Sequence, residues 1–346
     1  MTQELHATLS LPFLREEHHM LRDALRRFIE QEVVPHADAW EAQGMVPRNV
    51  LRAMGDMGWL GMRYDSEHGG SELDPLATVV LAEELGRSTY GGFAVTVLVH
   101  TDMASPHLHH AGNDAQKRAF MPALCSGEKI AAVAMTEADA GSDLASMRTT
   151  ARADGHDWVL NGSKMFITNG VHADLYFVAA KTGEPGRNHQ ISMFMVEKGT
   201  PGFEVARPLN KTGWLCSDTA ELSFNNCRVP GGNLLGEENK GFYALAHNLQ
   251  NERLVLGHAE VEALRAFIYQ TAWALGQGQQ QVKAVSMIKA LAGTLVNQVM
   301  YDCVQFHGGM GFIRETAVER MARDARVQAI GGGATEVMLD EIAKRM

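Results

Sequence analysis

Apolar residues recur at helical spacing near the start of the chain. Leu21, Leu25, Phe28, Ile29 and Val33 form one stripe within residues 14–37, and Pro35 closes it. Further helical patterns cover Arg48–Met57, Pro75–Leu85 and Asp114–Leu124, separated by polar or Gly-rich breaks such as His68-Gly69-Gly70. Periodicity alone predicts an all-α bundle over about the first 130 residues. From Lys129 the period shortens. Ile130–Met135, Thr149–Ala153, Trp158–Asn161, Leu175–Ala180, Ile191–Val196, Phe203–Ala206 and Ala220–Phe224 are short, β-branched or aromatic, and often alternating. Asp154-Gly155 and Asn161-Gly162 predict hairpin turns, and the regular spacing predicts an antiparallel barrel or sandwich. After Gly241 the helical pattern returns, with Leu254, Val261, Leu264, Ile268 and Leu275 at heptad-like intervals. A second helix runs over about 282–306, then the turn His307–Gly311 and helices around Thr316–Arg326 and Thr335–Lys344. The expected class is α+β: an N-terminal α-helical domain (1–128), a middle β domain (129–240) and a C-terminal helical bundle (241–346).

Composition narrows the function classes. Hydrophobic content of 45% and charged content of 21% suit a soluble globular protein. The formal charge of −10 argues against nucleic acid or an anionic membrane as partner. Cys125, Cys216, Cys227 and Cys303 are widely spaced without a CxxC pair, so they read as small apolar residues rather than disulfides. The opening MTQELHATLSLPFLREEHHM has neither a long apolar run nor a basic leader, so no signal peptide or membrane span is expected, and the expected location is cytoplasmic. His100, His107, His109 and His110 lie close together, but without a cysteine or helical ligand spacing they read as solvated or capping histidines, and no metal is expected.

The chemistry concentrates in two stretches, AMTEADAGSD (134–143) and KMFITNG (164–170). Gly141 lets backbone approach a ligand, and Ser142 can donate to a phosphate or carbonyl oxygen. Phe166 offers a face for a flat ring, and Thr168 a donor for its rim. Together they suit a phosphate-bearing heteroaromatic cofactor.

These motifs, with TAELSFNNCRVP (219–230), LLGEENKGF (234–242), QFHGGMGF (305–312) and VERMARDAR (318–326), resemble the flavin-dependent acyl-CoA dehydrogenase family in the expected order over nearly the whole chain. The resemblance implies FAD between the β domain and the C-terminal bundle. It places Met135, Thr136 and Thr168 at the isoalloxazine edge and Phe166 on the ring. Gly141 and Ser142 fall near the pyrophosphate and the CoA thioester arm. Gln305, Phe306, Gly308 and Gly309 are implied to contact FAD across a subunit interface, with Thr335 and Glu336 as further cofactor contacts. A homodimer or homotetramer follows, with electron-transferring flavoprotein as partner and acyl-CoA as substrate. In such enzymes a carboxylate removes the α-proton of the thioester while the β-hydrogen leaves as hydride to flavin N5. Hydrogen bonds to the thioester oxygen stabilise the developing enolate.

The sequence departs from the family's commonest pattern in two places. Ile330-Gly331-Gly332-Gly333-Ala334-Thr335-Glu336 puts Gly332 where most members carry the catalytic glutamate. In the long-chain and isovaleryl-CoA branches that glutamate stands in a Glu-Arg-Leu context on a bundle helix, and this chain has Asn251-Glu252-Arg253-Leu254. The resemblance therefore assigns the base to Glu252, with Glu336 as rival. Leu249, Gln250 and Arg253 fall near the substrate, and the Gly332 N–H near the thioester oxygen. The second departure is a missing helical hairpin with its Arg-x-x-Phe-Gly tip: HAEVEALRAFIYQTAW (258–273) runs straight on. Either the protein lacks the hairpin or the sequence omits part of it. Two further readings stay open: an acyl-CoA oxidase using oxygen, and a non-catalytic FAD- or acyl-CoA-binding homologue acting in assembly.

Overall fold

A computed structural model describes residues 14–141, 143–183, 190–241 and 262–346. The order α, then β, then α holds throughout. Helix α1 (Glu16–Phe28) passes into a π-helical stretch (Ile29–Val33) and stops before Pro35, as the stripe predicts. The periodicity misses α2 (Ala37–Gln43), which ends on left-handed Gly44. It finds α3 (Arg48–Asp56) and α4 (Pro75–Arg87). Asp74 caps α4 by accepting from the Leu76 N–H (2.9 Å), with Pro75 at the first helical position. Helix α5 (Gly91–Leu98), a second π-helical stretch (Val99–Ala104) and α6 (Ser105–Ala111) follow. In α7 (Asp114–Cys125), Asn113 and Gln116 cap each other reciprocally at 2.9 Å.

His100 and His107 are buried in this helical layer, which corrects the reading of solvated or capping histidines. The π-helical stretch turns His100 inward, where its Nε2 donates to the Leu124 carbonyl (3.0 Å) and its Nδ1 accepts from the Ala131 N–H (3.0 Å). Both bonds require the neutral Nε2–H tautomer. Burial pulls the His100 pKa down to about 4, so the ring stays uncharged. It joins α7 to the first strand of the sheet.

Among the described residues the sheet has eight strands: β1 (Ala131–Ala134), β2 (Thr150–Asp154), β3 (Asp157–Thr168), β4 (Leu175–Lys181), β5 (Ile191–Glu197), β6 (Phe203–Pro208), β7 (Thr219–Pro230) and β8 (Leu234–Leu235). Their order is β6-β7-β3-β2-β4-β5-β8, with β1 beside β4. Most pairings are antiparallel, as the strand spacing predicts. β1 and β2 each run parallel to β4, which short alternating runs do not reveal. Strand β4 is buried on both faces. Leu175, Phe177 and Ala179 face Leu108, Met121 and Leu124 of the helices, while Tyr176, Val178 and Ala180 face Phe194, Phe203 and Leu222.

Asp154-Gly155 makes the β2–β3 hairpin, with Gly155 at φ +65°. Asn161-Gly162 does not turn, contrary to expectation. It lies within β3, where the register against β7 shifts between Leu160 and Gly162 and again between Lys164 and Ile167. At the first shift the extra residue lies on β7; at the second it lies on β3 and reverses the alternation there, so the long strand carries no single period.

Among the described C-terminal residues, α8 (Glu262–Gly276), α9 (Val282–Phe306), α10 (Ala317–Ala325) and α11 (Thr335–Ala343) pack around α9. Arg22 of α1 donates to Glu83 of α4 (2.8 Å) and to the Tyr269 hydroxyl of α8 (2.6 Å), tying the first helical layer to the last. No helix among the described residues is long and apolar enough to cross a membrane. All four cysteines are free.

One buried ion pair fixes the exit of β1 against the bulge of β3. Lys164, fully buried, donates to the Met135 carbonyl (2.9 Å) and to a Glu137 carboxylate oxygen (2.8 Å). Glu137 also accepts from the N–H groups of Arg148 (2.6 Å) and Thr149 (2.9 Å) and from the Thr149 hydroxyl (2.6 Å). Burial opposes its charge, but Lys164 and these donors hold the carboxyl below its ordinary pKa. Burial also lowers the Lys164 ammonium, against the pull of Glu137.

Lys164→Met should cost about 3–5 kcal/mol in denaturant unfolding, because it strands a buried carboxylate. Adding Glu137→Gln should recover part of that loss; a double variant no more stable than the single one would show that the charges are not coupled. For His100, the unfolded ring binds a proton near its ordinary pKa of about 6.5 and the folded one only near 4. Stability should therefore be full above about pH 6.5 and decline by about 3 kcal/mol as pH falls towards 4. Unfolding curves across that range should slope less steeply for His100→Gln than for the unsubstituted protein.

Candidate active site

The motif residues on β1 and β3 come together through short backbone bonds. The Thr136 carbonyl accepts from the Met165 N–H (2.9 Å), and the Thr136 hydroxyl donates back to the Met165 carbonyl (2.5 Å). That clamp holds Met135 and Thr136 beside the β3 bulge. The next residue, Phe166, has φ +64° and is 64% exposed. A left-handed backbone is uncommon for an aromatic residue, and an outward-facing ring gains little from the core. The bulge, with Lys164 pinned beneath it, supplies the constraint that keeps Phe166 there.

Around Phe166 the polar groups are sparse and aimed outward. The Thr136 hydroxyl gives its proton to Met165, so its lone pairs remain to accept from a ligand N–H. Thr168, paired with Thr219, is half-buried, and its hydroxyl makes no hydrogen bond to a described residue. Gly141 is exposed, with open space where a Cβ would stand. Ser142 lies outside the described residues. A flat ring with a polar rim fits this surface, with Phe166 as stacking face and Thr136 and Thr168 at its edge. FAD carries such a ring.

A second group sits at the end of α9. Gln305, Phe306, Gly308 and Gly309 are all exposed, and Gly308 is left-handed (φ +56°) with open space around both glycines. No hydrogen bond within the described chain joins this group to β1 or β3. The same end exposes Tyr301, Met310 and Phe312, so an aromatic patch faces away from the chain's own core. Thr335 and Glu336 begin α11. Thr335 is half-buried and donates to the Ala329 carbonyl (3.5 Å), and Glu336 is exposed.

Gly332 and Gly333, just before α11, are both left-handed, at φ +65° and +106°. A residue with a β-carbon would be strained at either position, so the turn suits glycine rather than a side-chain base. Glu252, with Leu249, Gln250 and Arg253, lies outside the described residues. A cavity of about 330 Å³ opens between α4, α5 and the C-terminal helices, lined among others by Glu83, Arg87, Trp214, Arg265 and Asp324. Asp324 belongs to the VERMARDAR motif, but none of the described residues assigned to flavin or substrate lines the cavity.

Sequence reasoning quoted Glu137 and Lys164 inside the two motifs without assigning either a role. The available signal is Lys164, the one charge of KMFITNG; Glu137 is one of three acids in AMTEADAGSD and stands out by nothing local. Trp214 was also overlooked. Its N–H donates to Asp324 of α10 (2.6 Å), and its φ of +55° marks a constrained turn where loop 209–218 meets the bundle.

Comparison with known proteins agrees along the whole chain. The acyl-CoA dehydrogenase N-terminal, middle and C-terminal domains match residues 15–128, 132–227 and 237–346. The long-chain specific acyl-CoA dehydrogenase of Sus scrofa mitochondria is 37% identical, over 95% of this chain and 86% of its own length. Isovaleryl-CoA dehydrogenase of Pongo abelii is 33% identical, over 97% and 91%. The crystal structure of an acyl-CoA dehydrogenase from Geobacillus kaustophilus superposes with a TM-score of 0.92 at 37% identity, over 96% of this chain and 98% of that one. The alignment to the Sus scrofa enzyme runs over 373 positions, more than the 346 residues present here, so the relative carries residues that this chain lacks. The chain belongs to the acyl-CoA dehydrogenase family.

Proposed function

We propose that the protein catalyses FAD-dependent α,β-dehydrogenation of an acyl-CoA thioester, with Glu252 as the base. The observation that carries the flavin site is Phe166, an exposed aromatic held in a left-handed backbone beside the Thr136–Met165 clamp. When bound, FAD supplies the acceptor for the β-hydrogen and its electron pair. The residues of this chain do the rest. Phe166 stacks on the ring, while Met135, Thr136 and Thr168 fix its edge. Gly141 and Ser142 approach the pyrophosphate and the thioester arm. The Gly332 N–H would donate to the thioester oxygen and stabilise enolate charge there. Glu252 takes the α-proton, with Leu249, Gln250 and Arg253 along the substrate.

Three points support Glu252 over a base in the turn before α11. Gly332 has no side chain, its backbone is left-handed, and Asn251-Glu252-Arg253-Leu254 matches the branch that takes its base from the bundle. Glu336 remains the rival, but it is exposed on the first turn of α11. The aromatic patch at Phe306 and Phe312 supports a homodimer or homotetramer whose partner copy covers it, with Gln305, Phe306, Gly308 and Gly309 completing a neighbour's FAD site. Electron-transferring flavoprotein is the proposed acceptor of the electrons, and an oxidase would instead release peroxide.

The extra positions in the long-chain relative favour one competing reading, a shortened homologue that binds FAD or acyl-CoA without turnover. Glu252→Gln should bind FAD as tightly as the unsubstituted protein, with turnover lower by a factor of about 100 to 10,000. Activity near that of the unsubstituted protein would remove Glu252 as the base. Bleaching of the flavin band of the purified protein by an acyl-CoA would establish the redox step. A preparation that takes up FAD but never bleaches with any acyl chain would favour the non-catalytic reading.

A further inference from the structure

One histidine and two carboxylates cluster on the N-terminal helical layer, among residues to which the proposed dehydrogenation gives no part. Asp65 and the turn Ser66–His68 sit between α3 and α4. The turn is rigid: the Asp65 carbonyl accepts from the N–H groups of His68 and Gly70 (3.0 Å each), and Gly69 closes it at φ +89°. Gly70 passes so close to the Tyr64 backbone that a Cβ would stand 2.0 Å from the Tyr64 carbonyl oxygen. This packing aims one buried imidazole at two carboxylates.

His68 is 3% exposed, and its Nδ1 is buried without a hydrogen-bond partner. That nitrogen faces Asp65 Oδ2 at 3.6 Å and Glu67 Oε1 at 3.8 Å. Both separations are too long for hydrogen bonds. They are close to what a shared ion would set. Bonds of about 2.0–2.2 Å to a tetrahedral ion put its ligand atoms about 3.3–3.6 Å apart. The nitrogen and both carboxylate oxygens already lie within 4.8 Å of one another. A buried polar atom left unpaired is costly, and an ion between these groups would satisfy it while offsetting the repulsion of the carboxylates.

We propose that Asp65, Glu67 and His68 bind a divalent transition-metal ion, with Zn²⁺ the best match to one imidazole and two carboxylates, and with water filling the remaining position. His109 of α6 stands on the far side of Asp65, its Nδ1 3.6 Å from the same Oδ2. At that distance it makes no hydrogen bond to the carboxylate, but it lines the side of the group away from solvent-exposed Glu67. Tyr64, whose ring lies 5.2 Å from His109, donates its hydroxyl to the Thr101 carbonyl in the π-helical stretch. The ion would thus brace the 65–70 turn against α6 and the stretch that leads into it.

The test is calorimetric titration of the chelator-treated, FAD-loaded full-length protein with Zn²⁺, alongside thermal unfolding. One saturable site and a raised melting temperature are expected. Glu67→Gln, at an exposed position where folding is not at stake, should weaken binding at least tenfold. His68→Gln should weaken it about 100-fold. With 15 histidines in the chain, binding elsewhere is the competing outcome. A site of unchanged affinity in both the Glu67 and His68 variants, or no saturable site in the unsubstituted protein, overturns the proposal. Neither result bears on the flavin chemistry.

Discussion

The candidate site depends on a charge pair placed where charges are hardest to keep. Lys164 lies fully buried under the β3 bulge, and Glu137 joins it to the segment leaving β1 and to the strand entering β2. Ion pairs of this kind contribute little net stability against an apolar alternative, but they are unforgiving of geometry. Their role here is to fix relative position. Four donors, the Lys164 ammonium among them, converge on one carboxylate, so the two motif segments cannot slide past each other without stranding a charge. Phe166 can then be held outward in a backbone conformation that its own contacts would not sustain.

The same logic explains what the sequence made legible. Helices with one wet face, such as α1, α3 and α7, leave an apolar stripe that periodicity finds to within a few residues. Helix α5 leaves none: Phe93, Val95, Val97 and Leu98 are buried on all sides, so no polar face marks its period. The π-helical stretch after it shifts the phase again. Strands β4 and β5 were found as continuous apolar runs, the signature of burial on both faces. β3 reads short because Asn161-Gly162 mimics a hairpin turn, and the bulge between Lys164 and Ile167 then reverses which side chains face inward.

Within the site, the residues recognised from sequence are those whose chemistry faces a ligand. Thr136, Phe166 and Thr168 announce themselves as a hydroxyl, a ring and a second hydroxyl beside glycines. Lys164 and Glu137 do not, because a single charge in a strand reads as solvent-facing until tertiary structure shows it buried. His100 hides for the same reason. Among four clustered histidines, only contact with α7 and β1 shows that one is a neutral strut with both ring nitrogens engaged. Buried polar groups are thus the part of a fold that local pattern conveys least, since their partners lie 24 to 31 residues away along the chain.

The turn before α11 gives the clearest link from backbone to chemistry. Two successive left-handed residues, Gly332 and Gly333, shape it, and a β-carbon at either would carry a steric penalty of about 1–2 kcal/mol. A glutamate could be grafted there only against that strain, so losing the side chain and adopting the conformation go together. What the turn retains is a backbone N–H, which can stabilise an oxyanion but cannot accept a proton. On the proposed reading, the two halves of enolate formation are therefore divided between elements, with the turn supplying the donor and Glu252 the base. Such a division needs the two elements held in register. For the turn, α9 supplies the support: it packs against both α10 and α11 while ending in the exposed Gln305–Gly309 group.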